Sequence, residues 1–378
     1  MPALRLPPLS LYVHIPWCER KCPYCDFNSH QPEGELPEAA YVETLLADLD
    51  ASLPWVQERE LQSIFIGGGT PSLFSAAAIS RLLHGVRQRV PLATDCEITL
   101  EANPGSAEAS RFAGFAEAGV TRLSLGVQSF QQPQLEALGR VHNADQARAA
   151  VAMAQAAGFT RINIDLMHGL PGQAPDAALQ DLETALDFGV THLSWYQLTI
   201  EPNTAFYKRP PRLPDEDVLA DIQSLGERRV AEAGFTNYEV SAYAQAGSQC
   251  RHNLNYWEFG DYIGIGAGAH GKITHPESNQ ILRTTKRRQP AGYLAASSSE
   301  TQALTDAVRR GDFMLKALRL SAGFARGLYE ERTGLAEASY LPIAGELAQK
   351  GLLIVDEERV ATTDLGRRFL DTVVAAFI

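Results

Sequence analysis

Short apolar runs alternate with longer amphipathic segments along the first 200 residues of the chain. The apolar runs are four to eight residues long and rich in β-branched side chains, which is typical of buried strands. Between them, apolar residues recur at helical spacing, as Tyr41, Leu45 and Leu49 do in the first such segment. We predict strands at residues 12–15, 63–66, 96–101, 122–128, 161–167 and 192–199, and helices at residues 37–53, 76–90, 111–118, 145–157 and 176–188. This alternation predicts an α/β fold with a parallel sheet.

Beyond residue 201 the pattern is less regular. The sequence predicts a helix and then a strand, followed by a glycine-rich segment that we interpret as a loop closing a cavity. A basic run after it is interpreted as a solvated loop, and a small polar segment as a boundary. In chain order these are residues 215–233, 236–243, 264–271, 286–288 and 297–300.

The last part of the chain follows the helix, helix, hairpin, helix order of a winged-helix domain. Helices are predicted at residues 303–318, 324–333, 341–350 and 365–377, with a hairpin at 351–361. Its acidic hairpin argues against DNA and for a packing or partner role. We therefore expect three domains, at residues 1–200, 201–300 and 301–378.

Charge and composition narrow the classes of partner. The net charge of −12 argues against nucleic acid or an anionic membrane as the main partner. No apolar run reaches the roughly 18 residues of a membrane span, so no stable membrane insertion is expected. The first ten residues lack the apolar core of a signal peptide, which predicts a cytoplasmic protein.

Three of the five cysteines, Cys18, Cys22 and Cys25, lie within eight residues directly after the first predicted strand. An odd number of thiols cannot be satisfied by disulfides among themselves. Clustered thiolates of this kind hold iron–sulfur clusters, whereas a tetrahedral zinc site usually takes four protein ligands. A structural zinc loop is the alternative.

The cysteine spacing resembles the signature of the radical S-adenosylmethionine (SAM) superfamily, with the aromatic Tyr24 beside the third cysteine. The words YVHIPWC and CPYCDFNS resemble the branch that contains oxygen-independent coproporphyrinogen dehydrogenase and the HemW-like haem chaperones. The resemblance implies a [4Fe–4S] cluster on Cys18, Cys22 and Cys25, with the open iron chelating SAM. It also implies a partial (β/α)6 TIM-like barrel of the radical SAM type, followed by the smaller α+β winged-helix-like domain.

The same resemblance implies a set of SAM contacts at the carboxyl ends of the predicted strands. Gly68, Gly69 and Thr70 belong to a GGTP word, whose glycines leave backbone N–H groups free as donors. Judged by position alone, Glu101 could equally be a solvated loop acid, and Arg140 would be a surface arginine. The implied SAM-binding residues are Tyr12, Gly68, Gly69, Thr70, Glu101, Gln128, Arg140 and Asp165.

A haem site is implied by the word HNLNYW, which resembles the HNxxYW word of the haem chaperones. Neutral imidazole is a common haem ligand, and large aromatic side chains offer flat apolar faces to a porphyrin. Without the resemblance, an aromatic core cluster would be the simpler interpretation. The implied residues are His252 as iron ligand, with Asn253, Tyr256 and Trp257; His270 and Cys250 are rival ligands, and Arg283 or Arg287 is a candidate propionate partner.

Two functions remain open at this stage. One is haem binding and transfer to haem-accepting proteins, respiratory proteins among them. The other is oxidative decarboxylation of coproporphyrinogen. The dehydrogenase pattern has a fourth cysteine where this chain has Phe27, and a longer N-terminal segment than the ten residues before Leu11. These differences and HNLNYW favour the haem carrier, with a separate electron donor expected for the cluster.

Overall fold

The computed structural model describes residues 3–378 and begins with six parallel strands separated by helices. The strands are β1 (Leu9–Ile15), β2 (Leu61–Gly68), β3 (Leu92–Ala102), β4 (Arg122–Gln128), β5 (Ile162–His168) and β6 (His192–Gln197). The helices are α1 (Glu38–Ser52), α2 (Ala76–Arg87), α3 (Ser106–Ala109), α4 (Phe112–Ala118), α5 (Gln132–Ala137), α6 (Ala144–Ala156) and α7 (Pro175–Asp187). All six strand predictions are confirmed, and α5 is a helix that the apolar pattern did not indicate.

The six strands lie side by side in chain order, as in a partial (β/α)6 barrel. The strands β1, β4 and β5 are nearly continuous in buried residues, with one half-buried position each, because helices cover the sheet. Their carboxyl ends meet at one edge, where Ile15 pairs with Gly68. Loops that follow the strands are therefore brought together there, which is where parallel α/β folds place their sites.

The sheet continues past the barrel strands on both sides, to twelve strands within the described residues. A strand from the middle of the chain pairs in parallel with β1, and the remaining additions are antiparallel. These elements are α8 (Ala205–Lys208), α9 (Glu216–Glu232), β7 (Thr236–Glu239), β8 (Ala242–Ala244), α10 (Arg251–Trp257), β9 (Asp261–Ile265), β10 (His270–His275), β11 (Gln280–Lys286), α11 (Pro290–Ala295) and β12 (Ser299–Ala303).

Four predictions in this region need correction. Residues 236–243 form two antiparallel strands rather than one. The glycine-rich segment belongs to β9 and β10 at its ends, and only the turn between them is a loop. Residues 299–300 of the suggested boundary pair in β12 with β11. Lys286 is buried, not solvated, and its ammonium forms an ion pair with Asp48.

The C-terminal part has its own apolar core and a three-stranded sheet. Phe313 is at its centre and meets the rings of Phe324 and Tyr329 edge to face. The predicted order of elements is confirmed with two differences: residues 324–325 form a strand that pairs with residues 359–360 of the hairpin, and the final helix is two short ones. The elements are α12 (Asp306–Ala317), β13 (Phe324–Ala325), α13 (Arg326–Thr333), α14 (Leu341–Gln349), β14 (Leu353–Val355), β15 (Arg359–Thr362), α15 (Asp364–Arg368) and α16 (Leu370–Ala375). None of the helices in residues 3–378 combines the length and the apolar character needed to cross a membrane.

Candidate functional site

The cysteine loop follows β1 directly and is held in place by backbone hydrogen bonds. The amide of Cys18 donates to the carbonyl of His30 at 3.0 Å, and the His30 amide donates to Pro16 at 2.7 Å. All three cysteines of the loop are free, half-buried thiols. Together they line one cavity of about 340 Å³ at the carboxyl edge of the sheet.

Seven of the eight residues implied for SAM line this same cavity, which we call the cysteine cavity. Six of them lie in or just after the strands β2, β3, β4 and β5 and reach one space because the parallel sheet aligns those strands, while Arg140 follows α5. The seven are Gly68, Gly69, Thr70, Glu101, Gln128, Arg140 and Asp165. Tyr12 does not line it; its ring faces a neighbouring cavity, and its hydroxyl lies 2.9 Å from Nδ1 of His14.

Two polar side chains hold the thiols from the barrel side. Thr70 Oγ1 donates to Cys18 Sγ at 3.4 Å, and Arg140 Nη1 donates to Cys22 Sγ at 3.3 Å. Burial raises the pKa of the Cys18 thiol, while the hydrogen bond from Thr70 acts in the opposite direction. The nearby Arg140 guanidinium also acts to lower the pKa of the Cys18 thiol, toward the thiolate form that binds metal.

The donor set fits an iron–sulfur cluster. No three His, Cys, Asp or Glu side chains in the described chain lie close enough together to hold a single metal ion. In a four-iron cluster each thiolate binds a different iron, so the three sulfurs need to share a cavity rather than a single point. Cys18, Cys22 and Cys25 share such a cavity, next to the Arg140 guanidinium.

The glycine loop after β2 leaves no room for side chains. Gly68 has a φ of +115°, and a Cβ there would lie 2.6 Å from the His14 ring. A Cβ at Gly69 would lie 2.5 Å from the carbonyl oxygen of Trp17. The Gly68 amide donates to Glu101 Oε2 at 3.0 Å, which joins the ends of β2 and β3. Glycine is therefore required for close approach of this loop to the cysteine loop.

The carboxylates and the glutamine of the cavity are fixed by short polar contacts. Asp165 accepts from Ser124 at 3.0 Å and from Asn163 Nδ2 at 2.8 Å. Gln128 accepts from the Tyr196 hydroxyl at 2.9 Å, and its backbone has a φ of +70°. Such a conformation is costly for a residue other than glycine and is found preferentially at functional sites.

Burial also changes the charge state of the cavity. It raises the pKa of Glu101 to about 7, with the nearby Asp165 acting in the same direction. A cationic ligand between these carboxylates would relieve their repulsion. The cavity can therefore accept a group that carries positive charge, as the sulfonium and ammonium groups of SAM do.

Several lining residues of the cysteine cavity were not predicted from the sequence. Asn103 donates to Thr70 at 3.2 Å and accepts from Arg140 at 2.7 Å, so it links two of the implied residues. Its position after the end of β3 was a usable signal, because it follows Glu101 by two residues. The other polar lining residues that were not predicted are Arg20, Ser29, Ser124, Ser194 and Tyr196.

A second cavity of about 570 Å³ adjoins the first, and we call it the aromatic cavity. His252 of α10 lies in its wall, stacked on Phe65 with ring centroids 4.5 Å apart. Its buried Nδ1 has no hydrogen-bond partner in the described part of the chain. Burial lowers the pKa of His252 to about 4, so the imidazole is neutral at pH 7. Phe27, Gly68 and Glu101 line both cavities.

The other residues of the HNLNYW word differ in whether they line the aromatic cavity. Tyr256 lines the aromatic cavity together with His252. Asn253 donates to the hydroxyl of Tyr238 at 3.2 Å, and Trp257 meets the edge of Tyr256 at 5.0 Å. Neither of these two is among the lining residues, so their contacts fix α10 rather than face the cavity.

Of the four remaining haem candidates, one lines the aromatic cavity and three do not. His270 lines the aromatic cavity, whereas Cys250 is buried outside it and burial raises its pKa to about 11. Arg283 forms an ion pair with Asp312 at 2.6 Å. Arg287 is not among the lining residues.

Comparisons with known proteins agree with this architecture. The family model of the radical SAM superfamily matches residues 12–185, and that of the HemN C-terminal domain matches residues 304–369. The fold resembles the solved structure of coproporphyrinogen III oxidase (HemN) from Escherichia coli, a radical SAM enzyme. That match has a TM-score of 0.82 at 24% identity and covers 98% of this chain and 90% of the other, so it shows a shared fold.

The chain is also similar over its whole length to several curated proteins named heme chaperone HemW. Identity is 50% over 376 residues to the protein of Escherichia coli K12 and 46% over 379 residues to that of Haemophilus influenzae, with 99% of each chain covered in both cases. It is 36% over 385 residues to the protein of Mycobacterium tuberculosis H37Rv, covering 98% of this chain and 95% of the other.

A three-cysteine loop at the carboxyl edge of a partial βα barrel is the architecture of radical SAM proteins. Members of this class bind a [4Fe–4S] cluster and SAM, and membership implies both cofactors for this chain. The chain belongs to the radical SAM superfamily and, within it, to the HemW family.

Proposed function

We propose that this protein is a haem chaperone, which binds haem in the aromatic cavity and passes it to acceptor proteins. The observation that carries the proposal is the His252 imidazole, which is half-buried in the wall of the aromatic cavity, neutral, and without a hydrogen-bond partner for Nδ1 in the described residues. A neutral imidazole has one ring nitrogen with a lone pair, which is what haem iron takes as an axial ligand. The HemW names of the full-length relatives support the same function.

The walls of the aromatic cavity suit a porphyrin. Tyr12, Phe65 and Tyr262 contribute flat faces beside His252 and Tyr256. A porphyrin is a large planar aromatic group, and contact with such rings removes its apolar faces from water. Asn253 and Trp257 contribute indirectly in this proposal, because their contacts hold α10 in place.

The cysteine cavity would hold the two other cofactors. Cys18, Cys22 and Cys25 would bind the cluster, with Arg140 and Thr70 donating to the sulfurs. Gly68, Glu101, Gln128 and Asp165 would bind SAM beside it. When bound and reduced, the cluster and SAM together supply radical chemistry. The residues themselves bind and orient the cofactors.

The partners follow from this function. Haem is the cargo, and haem-accepting proteins, respiratory ones among them, are the recipients. A separate electron donor would reduce the cluster. We place the protein in the cytoplasm on the basis of its sequence.

A coproporphyrinogen dehydrogenase is the second candidate, because the two cavities share Gly68 and Glu101 in their common wall. A porphyrinogen in the aromatic cavity would then border the SAM site. Phe27, exposed on the cysteine loop, stands where the dehydrogenase pattern has its fourth cysteine. This difference favours the chaperone.

Haem transfer to apomyoglobin tests the proposal. The protein, loaded with haem at one per chain, is mixed with apomyoglobin, and the Soret spectrum is followed over time. A chaperone is expected to lose its haem to apomyoglobin faster in this mixture than to buffer alone. Failure of the wild-type protein to bind haem, or haem loss at the same rate with and without apomyoglobin, would contradict the proposal.

A further inference from the structure

The aromatic cavity has two chemically different sides. One side consists of the rings of Tyr12, Phe65, His252, Tyr256 and Tyr262. The other is polar and is formed by residues at the start of β10, the end of β11 and the segment after β11. The polar lining residues on this side are His270, Thr285 and Arg288, while His14, Asn28 and Glu101 are polar lining residues from other parts of the cavity.

Backbone pairing fixes the polar side. His270 and Thr285 are partners in the antiparallel register of β10 and β11, and Thr285 Oγ1 lies 3.3 Å from His270 Nδ1. The carbonyl of Arg288 accepts from Asn28 Nδ2 at 2.9 Å, which ties this backbone to the cysteine loop. The backbone of Arg288 is therefore held at the cavity while its side chain stays exposed.

The cations near this side differ in whether they are paired. Arg283 is bound to Asp312, and Lys286 is buried against Asp48. Arg288 has no ion-pair partner and no side-chain hydrogen bond within residues 3–378. The protein as a whole carries a net charge of −12, so an unpaired guanidinium at a cavity mouth is a local reversal of sign.

We propose that Arg288 binds a carboxylate on the edge of the ligand in the aromatic cavity. This inference rests on the proposed function, in which the ligand is haem, and it assigns the haem propionates to the polar side. The flat faces of the ring would lie among the aromatic side chains with the iron at His252. A guanidinium binds a carboxylate through two parallel hydrogen bonds, which gives orientation as well as attraction.

The assignment explains how the cavity selects an amphipathic ring. Apolar walls alone would accept a porphyrin in any rotation about its normal. A cation on one side fixes the rotation and discriminates against porphyrins without acidic substituents. The HemW names of the relatives do not identify the residue that makes this contact, and Arg288 was not among the arginines that the sequence suggested.

The test compares haem with haem dimethyl ester, in which both propionates are uncharged. Affinities for both are measured by Soret titration for the wild type, Arg288→Gln, Arg288→Lys and the control Arg287→Gln. Arg287 is the neighbouring exposed arginine outside the cavity lining. An exposed charge pair is screened by water, so we expect the wild type to prefer haem over the ester by roughly five- to ten-fold.

Arg288→Gln should bind haem and its ester equally, with the spectrum of His252 ligation unchanged, and Arg287→Gln should keep the wild-type ratio. Arg288→Lys should retain part of the preference, which should also fall as salt is raised. An unchanged preference in Arg288→Gln would overturn the assignment and leave the haem function intact. Wild-type protein that binds neither compound would overturn the proposed function and this inference with it.

Discussion

The imidazole of His252 stacks on the ring of Phe65, with the centroids 4.5 Å apart and the planes at 23°. Phe65 comes from β2 of the barrel, and His252 from a helix nearly two hundred residues later. This contact places the helix α10 against the sheet edge that carries the cysteine loop. The candidate haem ligand is therefore built into the wall of the aromatic cavity, against a strand of the barrel.

Replacing His252 by alanine should remove the axial imidazole and leave the fold in place. We expect the Soret band of the haem complex to shift or disappear, with weaker binding, in a titration with haem. His275→Ala is the control, because His275 lies at the far end of β10 from His270 and outside the aromatic cavity. An unaltered spectrum and affinity in His252→Ala would remove His252 as the ligand.

Replacing Cys22 by alanine should abolish the cluster, because each thiolate of the loop binds its own iron. Iron content after anaerobic reconstitution should fall from about four atoms per chain to background, together with the broad visible absorbance. Cys96→Ala should retain both signals, since Cys96 lies in β3 outside the cysteine cavity. Full iron retention in Cys22→Ala would argue against the ligand set.

Replacing Asp165 by asparagine should weaken SAM binding without loss of the cluster. Losing a hydrogen bond to a charged acceptor costs about 1.5–3 kcal/mol, or roughly ten- to a hundred-fold in affinity. Calorimetry with SAM measures the change. Asp181→Asn is a matched control, because Asp181 is also buried and accepts from Ser129 at 2.7 Å, but lies outside the cavity. Equal SAM affinities for the wild type and Asp165→Asn would refute this role.

We expect the stability of the protein to depend on pH through the buried Lys316 of α12. Its ammonium lies 4.1 Å from the ring centroid of Tyr256, and burial lowers its pKa to about 7. An unfolded lysine has a pKa of about 10.4. Between these two values the unfolded chain holds a proton that the folded chain lacks, so this group makes the free energy of unfolding rise with pH across that window.

The Lys316→Met variant removes the buried charge and keeps most of the side-chain volume. Urea unfolding at pH 6.5 should show the variant to be more stable than the wild type by about 1–3 kcal/mol, since the ring contacts offset part of the burial cost. The difference should shrink at pH 9.5. Lys350→Met, at an exposed lysine after α14, is the control. The same stability difference at both pH values would contradict the titration of Lys316.

Most strands and helices of the barrel were predicted from local patterns of apolar and polar residues. The strand at residues 122–128 was predicted with the bounds that the structure has, because its apolar run is sharply limited on both sides. The location of the site at the carboxyl edge of the sheet was also predicted from the sequence, since parallel strands align their carboxyl ends. The resemblance to the radical SAM superfamily, and not the strand pattern, implied Glu101, Gln128 and Asp165 as SAM contacts, and the structure places all three in the cysteine cavity.

Contacts between distant elements could not be predicted in the same way. Tyr196 meets Gln128 across the intervening β5, 68 residues apart in the chain, and no local pattern encodes that contact. The prediction that Lys286 lies in a solvated loop was wrong because its partner Asp48 lies in α1, 238 residues away in the chain. The aromatic cavity likewise depends on β9 pairing with β1, which brings α10 next to the barrel.

The most direct measurement of the central claim offers both candidate ligands to the same protein. The chain is purified without oxygen, its cluster is reconstituted, and haem and coproporphyrinogen are supplied in parallel with SAM and a reductant. The account predicts binding of about one haem per chain, lost on replacement of His252, and no formation of protoporphyrinogen. Conversion of coproporphyrinogen to protoporphyrinogen by the wild-type protein would contradict it.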